Sequence, residues 1–191
     1  MSKDMSTIRE IIQRSPVIAA VKDELELADA LSSECEVIFL LYGSLLNIGE
    51  LTDRIHGAGK TAVVHIDLIE GLTNREIAAD VLLKFSSPDG LISTRPTMIR
   101  HARHAGLLTI QRAFLIDSMS MQNLISQIRI SKPDFIEVMP GIMPRVIEEV
   151  IRSTQIPVIA GGLIRTREEV IAALDAGATA VSTSSQKVWS M

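Results

Sequence analysis

Residues 157–184, PVIAGGLIRTREEVIAALDAGATAVSTS, hold one complete strand–helix–strand unit. The apolar run 157–161 is short and stops at Gly161-Gly162, which suits a buried strand ending in a tight turn. Thr166 with Glu169 fits a capping box, the reciprocal pairing that starts a helix, and Gly177 stands where that helix would stop. Residues 179–183 (TAVST) return as a second apolar strand. Two strands joined by a crossover helix run parallel in one sheet.

The same alternation extends over the rest of the chain. Further strand candidates are 16–22 (PVIAAVK), 36–42 (EVIFLLY), 60–67 (KTAVVHID), 89–94 (DGLIST), 107–115 (LLTIQRAFL) and 134–139 (DFIEVM). Most are nearly continuous apolar runs, as expected where helices cover both faces of a parallel sheet. Between them lie helical patterns. Met143, Val146, Ile147, Val150 and Ile151 form one buried stripe, and Met121, Leu124, Ile125 and Ile128 another. Pro96 can open a helix that Gly106 ends. Thr73 with Glu76 fits a second capping box, followed by Ile77, Val81, Leu82 and Phe85 on one side of the helix.

Eight such units are compact for 191 residues, since a closed (β/α)8 barrel typically has ~250. The last helix has only residues 184–190 and must be truncated, while 6–14 reads as an extra helix before the first strand. The expected fold is therefore α/β, a small (β/α)8 TIM-like barrel with a truncated last helix and an extra N-terminal helix. A doubly wound open sheet usually has fewer strands at this length. No linker or low-complexity tract divides residues 1–191, which predicts a single barrel domain.

Composition bounds the function. A chain with 47% hydrophobic residues and a net charge of −4 has ample core and no disordered character. Cys35 has no intrachain partner, no apolar run approaches ~18 residues, and Met1–Asp4 starts no secretory signal. These features favour a cytoplasmic protein without a membrane partner. The sequence pI of about 5.6 gives no global attraction for nucleic acid, although a local basic patch remains possible.

In a parallel barrel the ligand site lies where strand carboxyl ends and helix N-termini converge. Two turns there stand out, Gly161-Gly162 after the seventh strand and Thr183-Ser184 after the eighth. Glycine lets main-chain N–H groups approach an anion and hydroxyls add donors, so a phosphate site is expected on Gly161, Gly162, Thr183 and Ser184. A tight turn and an N-cap would explain the same residues more blandly. Lys22, ending the first strand, either pairs with that anion or packs its stem on the rim. His65 and Asp67 share one side of their strand but make an incomplete metal set, and no metal or cofactor is expected. Asp67, Asp117 and Glu137 can accept hydrogen bonds from a polyol, or serve as structural carboxylates with Arg112. Residues 95–112 carry Arg95, Arg100, Arg103, His104 and Arg112 without an acid. Arg100, Arg103 and His104 share a helix face suited either to RNA phosphates or simply to solvent. With four Phe, one Trp and one Tyr there is little material for base stacking, so RNA contact would lean on backbone contacts or on a homo-oligomer surface.

An ordered set of motifs adds a resemblance. It comprises 15–22 (SPVIAAVK), 63–67 (VVHID) with 70–72 (EGL), and 108–112 (LTIQR) running into 114–118 (FLIDS). It continues with Pro133-Asp134, Ile136-Glu137, 140–144 (PGIMP), 157–164 (PVIAGGLI), 176–178 (AGA) and 180–184 (AVSTS). Over about residues 15–185 the chain resembles the glycerol uptake operon antiterminator regulatory protein family. That resemblance implies a barrel that responds to glycerol 3-phosphate and binds the leader mRNA of glycerol-utilisation operons, without turnover. The phosphate would then sit on Gly161, Gly162, Thr183, Ser184 and Lys22, and the hydroxyls on Asp67, Arg112 or Glu137. Arg95, Arg100, Arg103 and His104 are the candidate RNA contacts. The alternatives are a phosphosugar isomerase or aldolase using Lys22 and Asp67, and a metabolite sensor acting through a protein.

Overall fold

A computed structural model describes residues 5–190; the polar opening Met1–Asp4 and Met191 lie outside them. Eight parallel strands close into one barrel in sequence order. They are β1 (Val17–Val21), β2 (Val37–Leu40), β3 (Thr61–His65), β4 (Gly90–Ser93), β5 (Leu108–Phe114), β6 (Phe135–Met139), β7 (Val158–Gly161) and β8 (Ala180–Thr183). The helices are α1 (Met5–Arg14), α2 (Glu24–Ser32), α3 (Ile48–Gly57), α4 (Ile77–Phe85), α5 (Pro96–His104), α6 (Ser118–Ser131), α7 (Pro144–Thr154) and α8 (Arg167–Asp175). The truncated last helix is a single 3-10 turn, Gln186–Val188, held by Trp189 Nε1 donating to Thr183 O at 2.9 Å.

Strand alternation divides the apolar residues into two cores. Ile18, Phe39, Val63, Ile92, Ile110, Phe135 and Ile159 fill the barrel interior, while Val21, Ile38, Val64, Leu91 and Ile136 face the helices. The extra helix closes the N-terminal end of the barrel. Its Ile8, Ile11 and Ile12 belong to the interior cluster, and Arg9 bonds Asp134, which sits just before β6. With that end plugged, the carboxyl ends of the strands are left to form the site.

Local signals worked where the bonding partner was close in sequence. Thr166 and Glu169 form the expected box, and Gly106 and Gly177 follow their helices at φ +87° and +95°. The Thr73–Glu76 box does not form: Thr73 Oγ1 only receives Arg75 N at 3.4 Å, and α4 begins at Ile77. Of the side formed by Ile77, Val81, Leu82 and Phe85 only Leu82 is buried, because the helix packs through Ala78, Ala79 and Leu82. The two alanines allow a close approach to the sheet, which leaves Ile77 and Phe85 more than half exposed.

Candidate functional site

The converging carboxyl ends of β1, β5, β6, β7 and β8 enclose a cavity of about 390 Å³. Lys22, Arg112, Glu137, Gly162, Arg165, Thr183 and Ser184 are among its lining residues. The structure thus brings together most of the residues proposed from sequence for a phosphate and a polyol. Gly161 and Asp67 do not line the cavity.

The floor is a chain of polar contacts across three strands. Arg112 Nε donates to Glu137 Oε2 at 2.6 Å, and Ser182 Oγ donates to Glu137 Oε1 at 2.6 Å. Sheet register places Arg112 beside Glu137 and Gly161 beside Ser182. All three side chains are buried, so the carboxylate is held by an ion pair and a hydroxyl instead of water. Gly161 is what gives this pair room. A Cβ there would stand 2.6 Å from Glu137 Oε1 and 2.7 Å from Ser182 Oγ. The strand period places Ser182, not Thr183, on the inner face, and the sequence reading overlooked it.

Above the floor, Gly162 and Leu163 adopt successive left-handed conformations, φ +75° and +63°. A leucine in that region is uncommon, and such residues collect at ligand turns. The two turns are sewn together by hydroxyls. Thr183 Oγ1 donates to Ile164 O at 2.6 Å and receives Ser185 N at 3.0 Å, while Ser185 Oγ donates to Arg165 O at 3.1 Å. Thr183 is therefore a staple, and Ser184 is the exposed hydroxyl at the lip. Lys22, more than half exposed, stands 3.6 Å from Glu26. Arg165 lines the cavity from the β7–α8 turn, and no spacing signal marked it in the sequence.

On the β3–β4 side, Asp67 accepts from Ser93 Oγ (2.7 Å), Thr94 N (2.8 Å), Thr94 Oγ1 (2.8 Å), Arg95 Nε (3.1 Å) and Arg95 Nη2 (2.6 Å). Burial alone would raise its pKa; bonds from Thr94, Arg95 and Ser93 outweigh that and hold it below the ordinary value. His65 ends β3, is 3% exposed, and is pushed down to about 4 by burial and by the Arg112 charge, so its ring is neutral at physiological pH. Asp117 caps α6 through Ser120 instead of reaching the cavity. Among the described residues, no three His, Cys, Asp or Glu side chains cluster as a metal site.

The basic residues of 95–104 divide. Arg95 is locked on Asp67, and Arg103 Nη1 donates to Lys132 O and reaches Asp134 at 3.4 Å. Arg100 and His104 remain exposed on α5. The structure therefore separates Arg95, at the barrel mouth, from Arg103, which reaches toward the plugged end.

A family model described as glycerol-3-phosphate responsive antiterminator matches residues 17–189. The uncharacterized protein YgcP of Escherichia coli is 41% identical over 181 residues, 95% of each chain. The crystal structure of the glycerol uptake operon antiterminator regulatory protein from Listeria monocytogenes superposes with a TM-score of 0.89 at 35% identity, covering 92% of this chain and 95% of that one. A glycerol uptake operon antiterminator-related protein from Thermotoga maritima gives 0.82 at 32% identity, over 93% and 99%. Among the described residues no helix is long and apolar enough to cross a membrane.

Proposed function

The chain belongs to the glycerol-3-phosphate responsive antiterminator family, and from that premise we propose that glycerol 3-phosphate bound in the 390 Å³ cavity controls its grip on the leader mRNA of glycerol-utilisation operons. The observation that carries this reading is the lining itself. Lys22, Arg112 and Arg165 outnumber Glu137, whose charge is already committed to Arg112, so the cavity favours an anion. Its volume lies within the roughly 300–1,000 Å³ usual for small-molecule sites.

The phosphate sits over Gly162, Leu163 and Ser184, with Lys22 adding charge from β1. Thr183 and Gly161 act one layer down, the first by pinning the turns and the second by making room for Glu137. The hydroxyl end extends toward Arg112 and Glu137. Binding, not turnover, suits this arrangement: Lys22 is an exposed ammonium beside Glu26, whereas a Schiff-base lysine needs a desolvated amine. For RNA, the exposed Arg100 and His104 are the available hydrogen-bonding side chains of α5, and Arg95 and Arg103 are tied to carboxylates.

The test is an electrophoretic mobility measurement of leader RNA with the whole protein, with and without glycerol 3-phosphate. A ligand-dependent change in affinity, reduced by Lys22→Gln, is expected. Equal RNA affinity in both conditions overturns the gating.

A further inference from the structure

Among the described residues, only two buried side-chain nitrogens or oxygens have no hydrogen-bond partner: His65 Nδ1 and Arg95 Nη1. A folded chain seldom leaves such atoms unpaired without a functional reason. Here both occur in one place. His65 is the last residue of β3 and Arg95 follows β4 by two residues, and Asp67 lies between them in the fold, bonded to Arg95 and acting electrostatically on His65.

Their position relative to the cavity is set by the barrel. Val63 belongs to the interior cluster, so His65, two residues on, faces the same axis, close enough to feel the charges of Arg112 and Glu137. The ring order β1 to β8 puts β3–β4 across the mouth from β7–β8. His65 and Arg95 do not line the cavity itself; they stand on the β3–β4 side, so a small phosphate ester anchored at the β7–β8 turns extends its far end toward them past the cavity wall.

We propose that His65 and Arg95 are the hydroxyl-recognising side of the ligand site, selecting a polyol phosphate over a bare phosphate; this rests on the anion placement proposed above. The chemistry matches a hydroxyl group. Arg95 Nη1 can only donate, and a hydroxyl oxygen accepts. A neutral imidazole offers one donor and one acceptor, so it bonds a hydroxyl in either orientation without adding a further charge to the site. Asp67, which the sequence suggested for this task, already receives five hydrogen bonds and fills the lone pairs a carboxylate has. It acts as a positioning residue, fixing the Arg95 fork so that Nη1 is the donor left over. Both unpartnered atoms are covered in this conformation, so the ligand reaches them only as side chains at the mouth shift.

Calorimetric titration of the whole protein with sn-glycerol 3-phosphate and, separately, inorganic phosphate tests the assignment. His65→Phe keeps a flat ring but no hydrogen bond, and is expected to weaken glycerol 3-phosphate about tenfold while phosphate changes by less than about twofold. His65→Asn, which restores a donor and an acceptor, recovers most of the loss. Unchanged glycerol 3-phosphate binding, or equal losses for both ligands, overturns the inference. Should His65→Phe fail to fold, ring-nitrogen NMR of the wild-type chain decides. The Nδ1 resonance of His65 must move with glycerol 3-phosphate and stay fixed with phosphate; any other pattern counts against it. Wild-type protein that binds neither ligand overturns the anion placement instead.

Discussion

Gly161 shows how a single missing methyl group shapes the site. Its neighbours Glu137 and Ser182 are buried and bonded to each other, so neither can swing into solvent to admit a Cβ. Gly161→Ala is therefore expected to behave as overpacking and to cost about 1–3 kcal/mol, seen as a lower urea midpoint at unchanged slope. Removing the second clash with Ser182→Ala should recover part of that loss; wild-type stability in Gly161→Ala would refute the account. The sequence suggested a ligand turn as the reason for a glycine here; the structure adds a steric one, set by a carboxylate 24 positions away that no local pattern reveals. His65 gives a second residue-level test. Its folded pKa of about 4 lies below the ordinary 6.5, so between those values the unfolded chain takes up a proton that the folded one refuses. His65 thus contributes stability that is complete above pH 6.5 and fades as pH falls toward 4, by up to roughly 3 kcal/mol. Urea unfolding across that window should show the slope, and His65→Gln should flatten it.

At the scale of elements, legibility followed from how many faces a segment buries. A strand covered by helices outside and by interior packing inside has no polar face, so PVIAAVK and PVIAG read as strands wherever they are met. Helices are legible only when one face dominates. Along α7 the stripe is apolar and the rest polar, and Ile147 and Val150 are buried as expected. Along α4 both Ile77-Val81-Phe85 and Ala78-Ala79-Leu82 look apolar, and the choice is made by the sheet, which takes the smaller side chains. The same limit applies to the basic stretch on α5. Spacing puts Arg100, Arg103 and His104 on one face, but only the tertiary structure shows that Asp134 draws Arg103 to the same carboxylate that holds Arg9 from α1. Asp134 also receives Thr109 N and Oγ1 at 2.8 Å, so it joins α1, α5, β5 and β6 into one unit at the plugged end.

For the whole molecule, the plugged and open ends of the barrel divide structure from response. The closed end is fixed by apolar packing of α1 and by Asp134, which gives a rigid frame. The open end holds the cavity, the left-handed turn at Leu163 and the two unpartnered nitrogens, features that a ligand can satisfy in one state better than in another. A ligand shifts an equilibrium only by its difference in affinity for the two states, and the coupling is mutual. If glycerol 3-phosphate changes leader-RNA affinity by some factor, saturating leader RNA must change glycerol 3-phosphate affinity by the same factor. Trp189 offers the readout, being the only tryptophan and bonded through its indole N–H to Thr183 O at the β8 turn. Its fluorescence titrated with glycerol 3-phosphate, with and without RNA, is expected to give a ratio of affinities equal to that from the reverse titration. A ratio of one in the fluorescence experiment alongside a ligand-dependent mobility shift would break the cycle. The ligand would then act at a place other than the cavity beside that turn.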